Sequence, residues 1–276
     1  MEEKREEIRQ VSAGEPVRIP AKAFEETDST KIYWLGNGGA FINARGTCLM
    51  IDPLLEGFDM PLLVGAPVTP EETGVLSAVL ITHCDNDHLS RVTCRKLADR
   101  CGSFHGPHYV AELLEAEGIS AAGHDIHESF FVDGVQVTLT PADHAWQNES
   151  KKHATRHFRA EDYCRYQLDT PDGRIWMPGD SRLLEEQLHM PEPDVILLDF
   201  SDSRWHIGFE GAVTLCNTYP EALLIPIHWG CVNAPTMPEF NGDPERLRSR
   251  ITNPGRLLVL APGEACEMRG RQLWES

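Results

Sequence analysis

The sequence predicts an α/β fold in which two β-sheets pack face to face with helices on the outside. Three observations predict it: a front meander of short strands joined by glycine turns, alternating strand-like and helix-like segments behind it, and several apolar runs that end in His or Asp. No Pro/Gly-rich linker interrupts the body, so residues 29–276 read as one domain preceded by an extension, residues 1–28.

The extension is polar, starts with a charged helical stretch and carries Pro16 and Pro20. It reads as packed on or trailing from the body, and no chemistry is assigned to it. From Lys31 three strands follow: Ile32 to Leu35, Ala40 to Asn43 and Thr47 to Ile51, with Gly36-Asn37-Gly38-Gly39 and Ala44-Arg45-Gly46 as turns. No G-x-G-x-x-G or Walker pattern is present there, so these glycines read as turn formers. A proline-containing loop, Leu54 to Gly74, has the length of a functional rim.

Ser77 to Ile81 is a buried strand, Leu89 to Arg100 a helix, and Pro107 to Gly118 a second helix with proline early and glycine at its end. His105, His108, His124 and His127 fall around these elements and read as surface histidines. Strands at 129–132, 135–140, 163–169 and 174–177 come next, followed by a helix at 182–189 and a strand from Val195 to Asp199. A helix near 209–218, a strand from Ala222 to His228, a helix near 243–251 and a closing strand from Arg256 to Leu260 complete the pattern.

Composition narrows the function. The 276 residues, 41% hydrophobic, support a sizeable core, and the formal net charge of −18 disfavours nucleic acid, whose phosphates need clustered Lys and Arg. No apolar run approaches the ~20 residues of a membrane span. The charged start Met1-Glu2-Glu3-Lys4-Arg5 lacks a signal peptide's apolar segment, so a cytoplasmic location is expected. Eight cysteines without a Cys-x-x-Cys pair read as reduced and mostly buried.

The chemistry concentrates in Ile81-Thr82-His83-Cys84-Asp85-Asn86-Asp87-His88-Leu89. Two imidazoles and two carboxylates within six residues have the density of a metal site. If the backbone stays extended past Thr82, side chains 83, 85 and 87 share one side, Cys84 faces away, and His88 turns off at the start of a helix. Four apolar runs also end in a candidate ligand: Ala78 to Ile81 in His83, Val137 to Leu139 in His144, Ile175 to Met177 in Asp180, and Leu224 to Ile227 in His228. Strand ends gather such residues because a rigid sheet aims the loops that hold them.

Together these elements resemble the metallo-β-lactamase superfamily, which carries H-x-H-x-D-H followed by a downstream His, an Asp and a final His. The similarity runs from about residue 30 to 265 and includes Ile51-Asp52-Pro53 and Pro262-Gly263-Glu264. Tyr33-Trp34-Leu35-Gly36, Gly179-Asp180-Ser181 and Ile225-Pro226-Ile227-His228 look most like the branch of ascorbate-6-phosphate lactonase and N-acyl-phosphatidylethanolamine phospholipase D.

The resemblance implies an αββα four-layer sandwich and a pair of divalent ions, Zn2+ or Mn2+ with iron as a further option. His83, Asp85 and His144 would hold the first ion; Asp87, His88 and His228 would hold the second, with Asp180 bridging. Asp85 departs from the family's usual histidine. A harder carboxylate shifts preference from zinc toward manganese or iron, and with Asp87 and Asp180 it balances two dications and a bridging hydroxide.

The implied reaction is hydrolysis by a hydroxide between two ions, most simply of a small-molecule lactone or related ester or amide. A phosphodiesterase acting on a nucleotide or lipid headgroup and a non-enzymatic protein retaining the scaffold are the alternatives. Asp87, doubling as a ligand, and His206, as a leaving-group acid, are the expected catalytic residues. Arg182, Arg204 and the stretch Lys151-Lys152-His153, Arg156-His157 and Arg159 are candidate anion contacts, though a solvated loop is the simpler account of the stretch. Trp146 and Trp229 flank ligands and either wall a pocket or pack in the core. A homo-oligomer is compatible with all of this.

Overall fold

The structure, a computed structural model, describes residues 9–268. Its first sheet is built from β1 (Thr30–Gly36), β2 (Gly39–Ala44), β3 (Thr47–Ile51), β4 (Ala78–Leu80), β5 (Phe104–Pro107) and β6 (Ala121–His124). The second comprises β7 (Ser129–Val132), β8 (Val135–Thr140), β9 (Arg165–Thr170), β10 (Gly173–Met177), β11 (Val195–Leu198) and β12 (Leu223–Pro226). A last strand, β13 (Ala265–Glu267), returns to the first sheet, giving the orders β13-β1-β2-β3-β4-β5-β6 and β12-β11-β10-β9-β8-β7.

Each sheet has an antiparallel part and a parallel part. The hairpins β1-β2-β3, β7-β8 and β9-β10 follow the glycine and Asp-Gly turns and a longer connection joins antiparallel β8 and β9, whereas β3 to β6 and β10 to β12 run parallel and need crossover segments. Two such segments contain α1 (Arg91–Leu97) and α2 (His108–Ala116), and another contains α3 (Phe209–Thr218); α4 (Pro244–Arg248) lies nearer the end.

The period of two sorts the side chains into layers. Ile32, Trp34, Ile42, Leu49 and Leu80 share a core with Val137, Leu139, Tyr166, Leu168 and Ile175 of the other sheet, and Ala212, Leu215 and Cys216 of α3 join that cluster. Tyr33, Leu35, Phe41, Met50, Val79 and Ile81 point the other way and pack with Cys94, Leu97, Val110 and Leu114 of α1 and α2. Both faces of the first sheet are therefore buried, as the sandwich requires.

The described part of the N-terminal segment is packed on the body. Ala13 N–H donates to Gly230 (2.8 Å), Val17 to Pro262 (2.7 Å) and Ile19 to Pro67 (3.0 Å), and Ala13, Ile19 and Ala23 are buried.

Several expectations are corrected. The segment 256–260 is not a strand: a short 3₁₀ turn, Pro254–Arg256, leads to one bridge between Leu257 and Leu224, and closure falls to β13. The helix expected at 182–189 is a 3₁₀ turn, Glu185–Leu188. Two strands, β5 and β6, escape the sequence pattern because Phe-His-Gly-Pro and Ala-Ala-Gly-His have low strand propensity.

His105 and His124 lie on these strands and are not surface residues. They hydrogen-bond to each other (2.9 Å), and both rings stack on Phe130, with centroids 4.4 and 4.1 Å away. His108 is exposed, as is His127. Among the described residues, no helix is long and apolar enough to cross a membrane.

Candidate metal centre

Strand β4 ends at Leu80, so the ligand stretch is not extended. The main chain instead turns: His88 N–H and Leu89 N–H both donate to the Asp85 carbonyl, at 3.0 and 2.7 Å, and the helix begins only at Arg91. The turn, rather than strand alternation, distributes the side chains. Asp52, which follows β3, anchors its start by accepting from Thr82 N–H (2.7 Å) and the Thr82 hydroxyl (2.6 Å).

His144, Asp180 and His228 follow β8, β10 and β12 and meet this turn. Asp85 Oδ2 lies 3.4 Å from His83 Nε2 and 3.5 Å from His144 Nε2, which forms one nest. In the other, Asp180 Oδ2 lies 2.8 Å from His88 Nε2 and 3.3 Å from His228 Nε2, and Asp87 Oδ2 is also 3.3 Å from His228 Nε2. In each nest the ligand-type atoms lie within 4.8 Å of one another. His144 and Asp180 also group with His206, so the two nests adjoin through Asp180.

One feature unites the imidazoles: each Nδ1 already has a partner outside the centre. His88 Nδ1 faces Asp52 (2.8 Å), His206 Nδ1 faces Asp199 (2.6 Å), and His144 and His228 face the carbonyls of Trp205 (2.8 Å) and Glu239 (3.1 Å). Carboxylates and carbonyls only accept, so each of these Nδ1 atoms carries the proton. His83 Nδ1 lies 2.9 Å from the Thr82 hydroxyl and 3.5 Å from the Arg165 guanidinium, which only donates, so its partners do not fix one tautomer. All five Nε2 atoms then face inward, as in metal sites where an outer partner fixes ligand orientation.

The centre also fits a cation by what it leaves open. His83 Nε2, His228 Nε2 and Asp180 Oδ1 are buried with no hydrogen-bond partner among the described residues. Mutual attraction covers the rest: burial opposes charge on His228, but Asp180 and Asp87 outweigh it and hold the pKa at about 9. Burial likewise opposes ionisation of Asp87, yet His88 and His228 bring it to about 2. Such clustered charges are costly in a core unless paired or coordinated. His83 is the exception, lowered to about 4 by burial and by the neighbouring His88, and is a neutral donor without further adjustment.

Comparison with known proteins agrees with this geometry. Residues 47–229 match the family model described as "Beta-lactamase superfamily domain". A UPF0173 metal-dependent hydrolase of Thermofilum pendens is 30% identical over 232 residues, which cover 82% of this chain and 91% of the relative. The chain belongs to the β-lactamase superfamily, among the UPF0173 metal-dependent hydrolases.

A second hydrolase of that name, from Methanosarcina barkeri, is 24% identical across 86% of this chain and 98% of its own length. The fold also matches two solved structures. The metallo hydrolase Igni18 of Ignicoccus hospitalis has a TM-score of 0.67 at 20% identity, over 88% of this chain and all of its own. The isothiocyanate hydrolase from Delia radicum gut bacteria has a TM-score of 0.69 at 19% identity, over 86% of this chain and 98% of its own.

Several residues that serve the centre of this hydrolase carry no obvious signal in the sequence. Both Asp85 oxygens are held at 2.6 Å, by the Trp146 indole N–H and the Gln147 amide, and Gln147 in turn accepts from the Tyr163 hydroxyl. Gly38 is more than a turn former: a β-carbon there would lie 2.5 Å from His88 Cε1 and 3.2 Å from His228 Cδ2. Asp52 and His228 themselves hold left-handed backbone conformations (φ 45° and 61°), a cost that site residues commonly carry. Asp52 and Asp199 follow strands just as the expected ligands do, and that rule, applied throughout, finds them.

The remaining candidates divide. Trp146 walls the cavity, whereas Trp229 is buried and stacks on Trp34 at 5.7 Å. Cys84 borders the cavity instead of facing away, but its thiol is pushed up to about 12 by burial and by Asp85, and none of the ligand groups includes it. Of the basic stretch, Arg156 pairs with Asp162 (2.5 Å) and Arg159 with Glu161 (3.4 Å), while Lys152 and His153 reach the cavity. Arg204 pairs with Glu149, and Arg182 pairs with Asp143 (3.2 Å) and lies 4.2 Å over the Trp205 ring.

Proposed function

We propose that this protein is a binuclear hydrolase of a small-molecule lactone or related ester or amide. One observation carries the reading: four imidazoles and three carboxylates converge in two adjoining nests, with His206 beside them, below a cavity of about 380 Å³. His83, Asp85 and His144 would hold one ion, Asp87, His88 and His228 the other, and Asp180 would reach both. When bound, a pair of divalent ions lowers the pKa of water to about 7 and polarises the bond under attack.

The chain's own groups do the rest. Trp146 and Gln147 fix Asp85, and Asp52 fixes His88 and Thr82, so the ligand geometry is set by the sheets before anything binds. His206 is buried, donates from Nδ1 to Asp199, and brings Nε2 to 4.0 Å from Asp180 Oδ2 at the cavity wall. Burial works against its charge, but Asp199 and Asp180 raise its pKa, so it is placed to give a proton to the departing oxygen. Asp85 in a position usually held by histidine supports Mn2+ or iron beside Zn2+.

The phosphodiester alternative has less support, because the arginines that would clamp a phosphate are paired elsewhere. Protein stripped with a chelator and reloaded with Mn2+ or Zn2+ should hydrolyse members of a lactone, ester and amide panel and leave bis-p-nitrophenyl phosphate nearly untouched. Faster turnover of the phosphodiester would overturn the choice of substrate bond.

A further inference from the structure

The cavity above the centre has two characters. Its floor is polar, formed by Asp85, Asp87, His144, Asp180, His206 and His228, while the surrounding wall is apolar and aromatic. On one side Phe58 and Met60 of the long 54–74 loop and Met237 pack with buried Phe240 in a small apolar cluster of their own. On the other stand Trp146, edge-on to His153 at 5.4 Å, and Trp205.

Charge on the wall is sparse. Lys152 is the cation that lines it among the described residues, Glu239 is drawn aside by the Ser203 hydroxyl (2.8 Å), and Arg182 and Arg204 lie against Trp205 while paired with acids. The protein as a whole is strongly acidic, with a formal net charge of −18, which further repels anions.

We infer that the substrate is a neutral molecule with an apolar or aromatic body attached to the bond that is cleaved, and not a phosphorylated or polyanionic one. The inference rests on the hydrolase reading above and names the class of molecule that site takes. A wall of two tryptophans, two phenylalanines and two methionines gains affinity by removing apolar surface from water, and the methionines adapt to its shape. A phosphate would instead have to shed its water with Lys152 as its cation on that wall. The volume, about 380 Å³, lies near the lower end for ligand pockets, so the body is small: a short alkyl chain or a single ring.

The test compares γ-lactones whose side chain grows from methyl to hexyl with a γ-lactone bearing a phosphate on a side chain of similar length. On metal-loaded protein, kcat/KM should rise roughly fourfold per methylene until the cavity is full. The phosphorylated lactone should be at least tenfold poorer than its neutral counterpart. Binding is read separately from tryptophan fluorescence with 2-alkyltetrahydrofurans, ring ethers with no acyl bond to hydrolyse, which should quench the wild-type signal and lose affinity in Met60→Lys.

If no lactone is cleaved but the ring ethers bind with chain-length dependence and the variant weakens them, the apolar-body inference stands and the reaction assignment fails. If lactones are cleaved with no dependence on chain length, or the phosphorylated one is preferred, the inference is overturned. Absence of ring-ether binding to correctly folded protein also overturns it.

Discussion

Two histidine clusters stand among the described residues, and the contrast between them shows what makes one a candidate metal centre. At the strand ends, five imidazoles each engage Nδ1 with a partner outside and turn Nε2 inward, where Asp85, Asp87 and Asp180 wait. Between the sheets' outer strands, His105 and His124 bond to each other, to the Ser103 hydroxyl (2.8 Å) and to Glu128 (2.8 Å), and stack on Phe130. There the ring nitrogens are used up among protein groups. Histidine content does not separate the two regions; convergence of lone pairs and carboxylates does.

The contrast can be broken most severely at the final ligand. His228→Ala should remove one of two metal equivalents and lower turnover by more than about 100-fold, beyond what loss of an outer partner gives. Metal analysis beside steady-state rates checks both, and full metal content with unchanged activity would take His228 out of the centre. Replacing an outer partner tests the orientation argument. Asp52→Asn should weaken metal affinity by about 10- to 100-fold while the protein stays folded, as read by competition with a chelator and by circular dichroism.

Chemical identity of a single ligand comes next. Asp85→His should move the preference toward zinc over manganese, seen as a change in the ratio of the two affinities. No change would mean that Asp85 does not touch the ion, despite lying 3.4 Å from His83 Nε2 and 3.5 Å from His144 Nε2.

The smallest effect belongs to the other cluster. Burial, helped by His124, lowers the His105 pKa to about 4, so the folded protein resists a proton that the unfolded chain accepts near pH 6.5. The contribution of neutral His105 is thus complete above pH 6.5 and is lost as pH falls toward 4. Urea unfolding across that range should show a decline that is shallower in His105→Phe. An equal slope in both proteins would remove His105 as its source.

The chain announced its centre more clearly than the scaffolding around it. Candidate ligands were readable because four of the seven fall within residues 83–88 and the others close apolar runs, a pattern that local sequence displays. The fold class followed from the same runs, since meander and alternation differ in period and spacing. Roles that depend on distant partners were not readable in this way. Gln147 holds Asp85 from 62 residues away, and Gly38 matters because two imidazoles press against it. Strands β5 and β6 were hidden because parallel neighbours, rather than their own composition, hold them in place. His105 and His124 were misread as exposed for that same reason.

The most direct measurement is anomalous diffraction from crystals of the protein reloaded with Mn2+ or Zn2+. Two peaks are expected, one bounded by His83, Asp85 and His144 and the other by Asp87, His88 and His228, with Asp180 in reach of both. A single peak, or an ion seated away from these residues, would contradict the account.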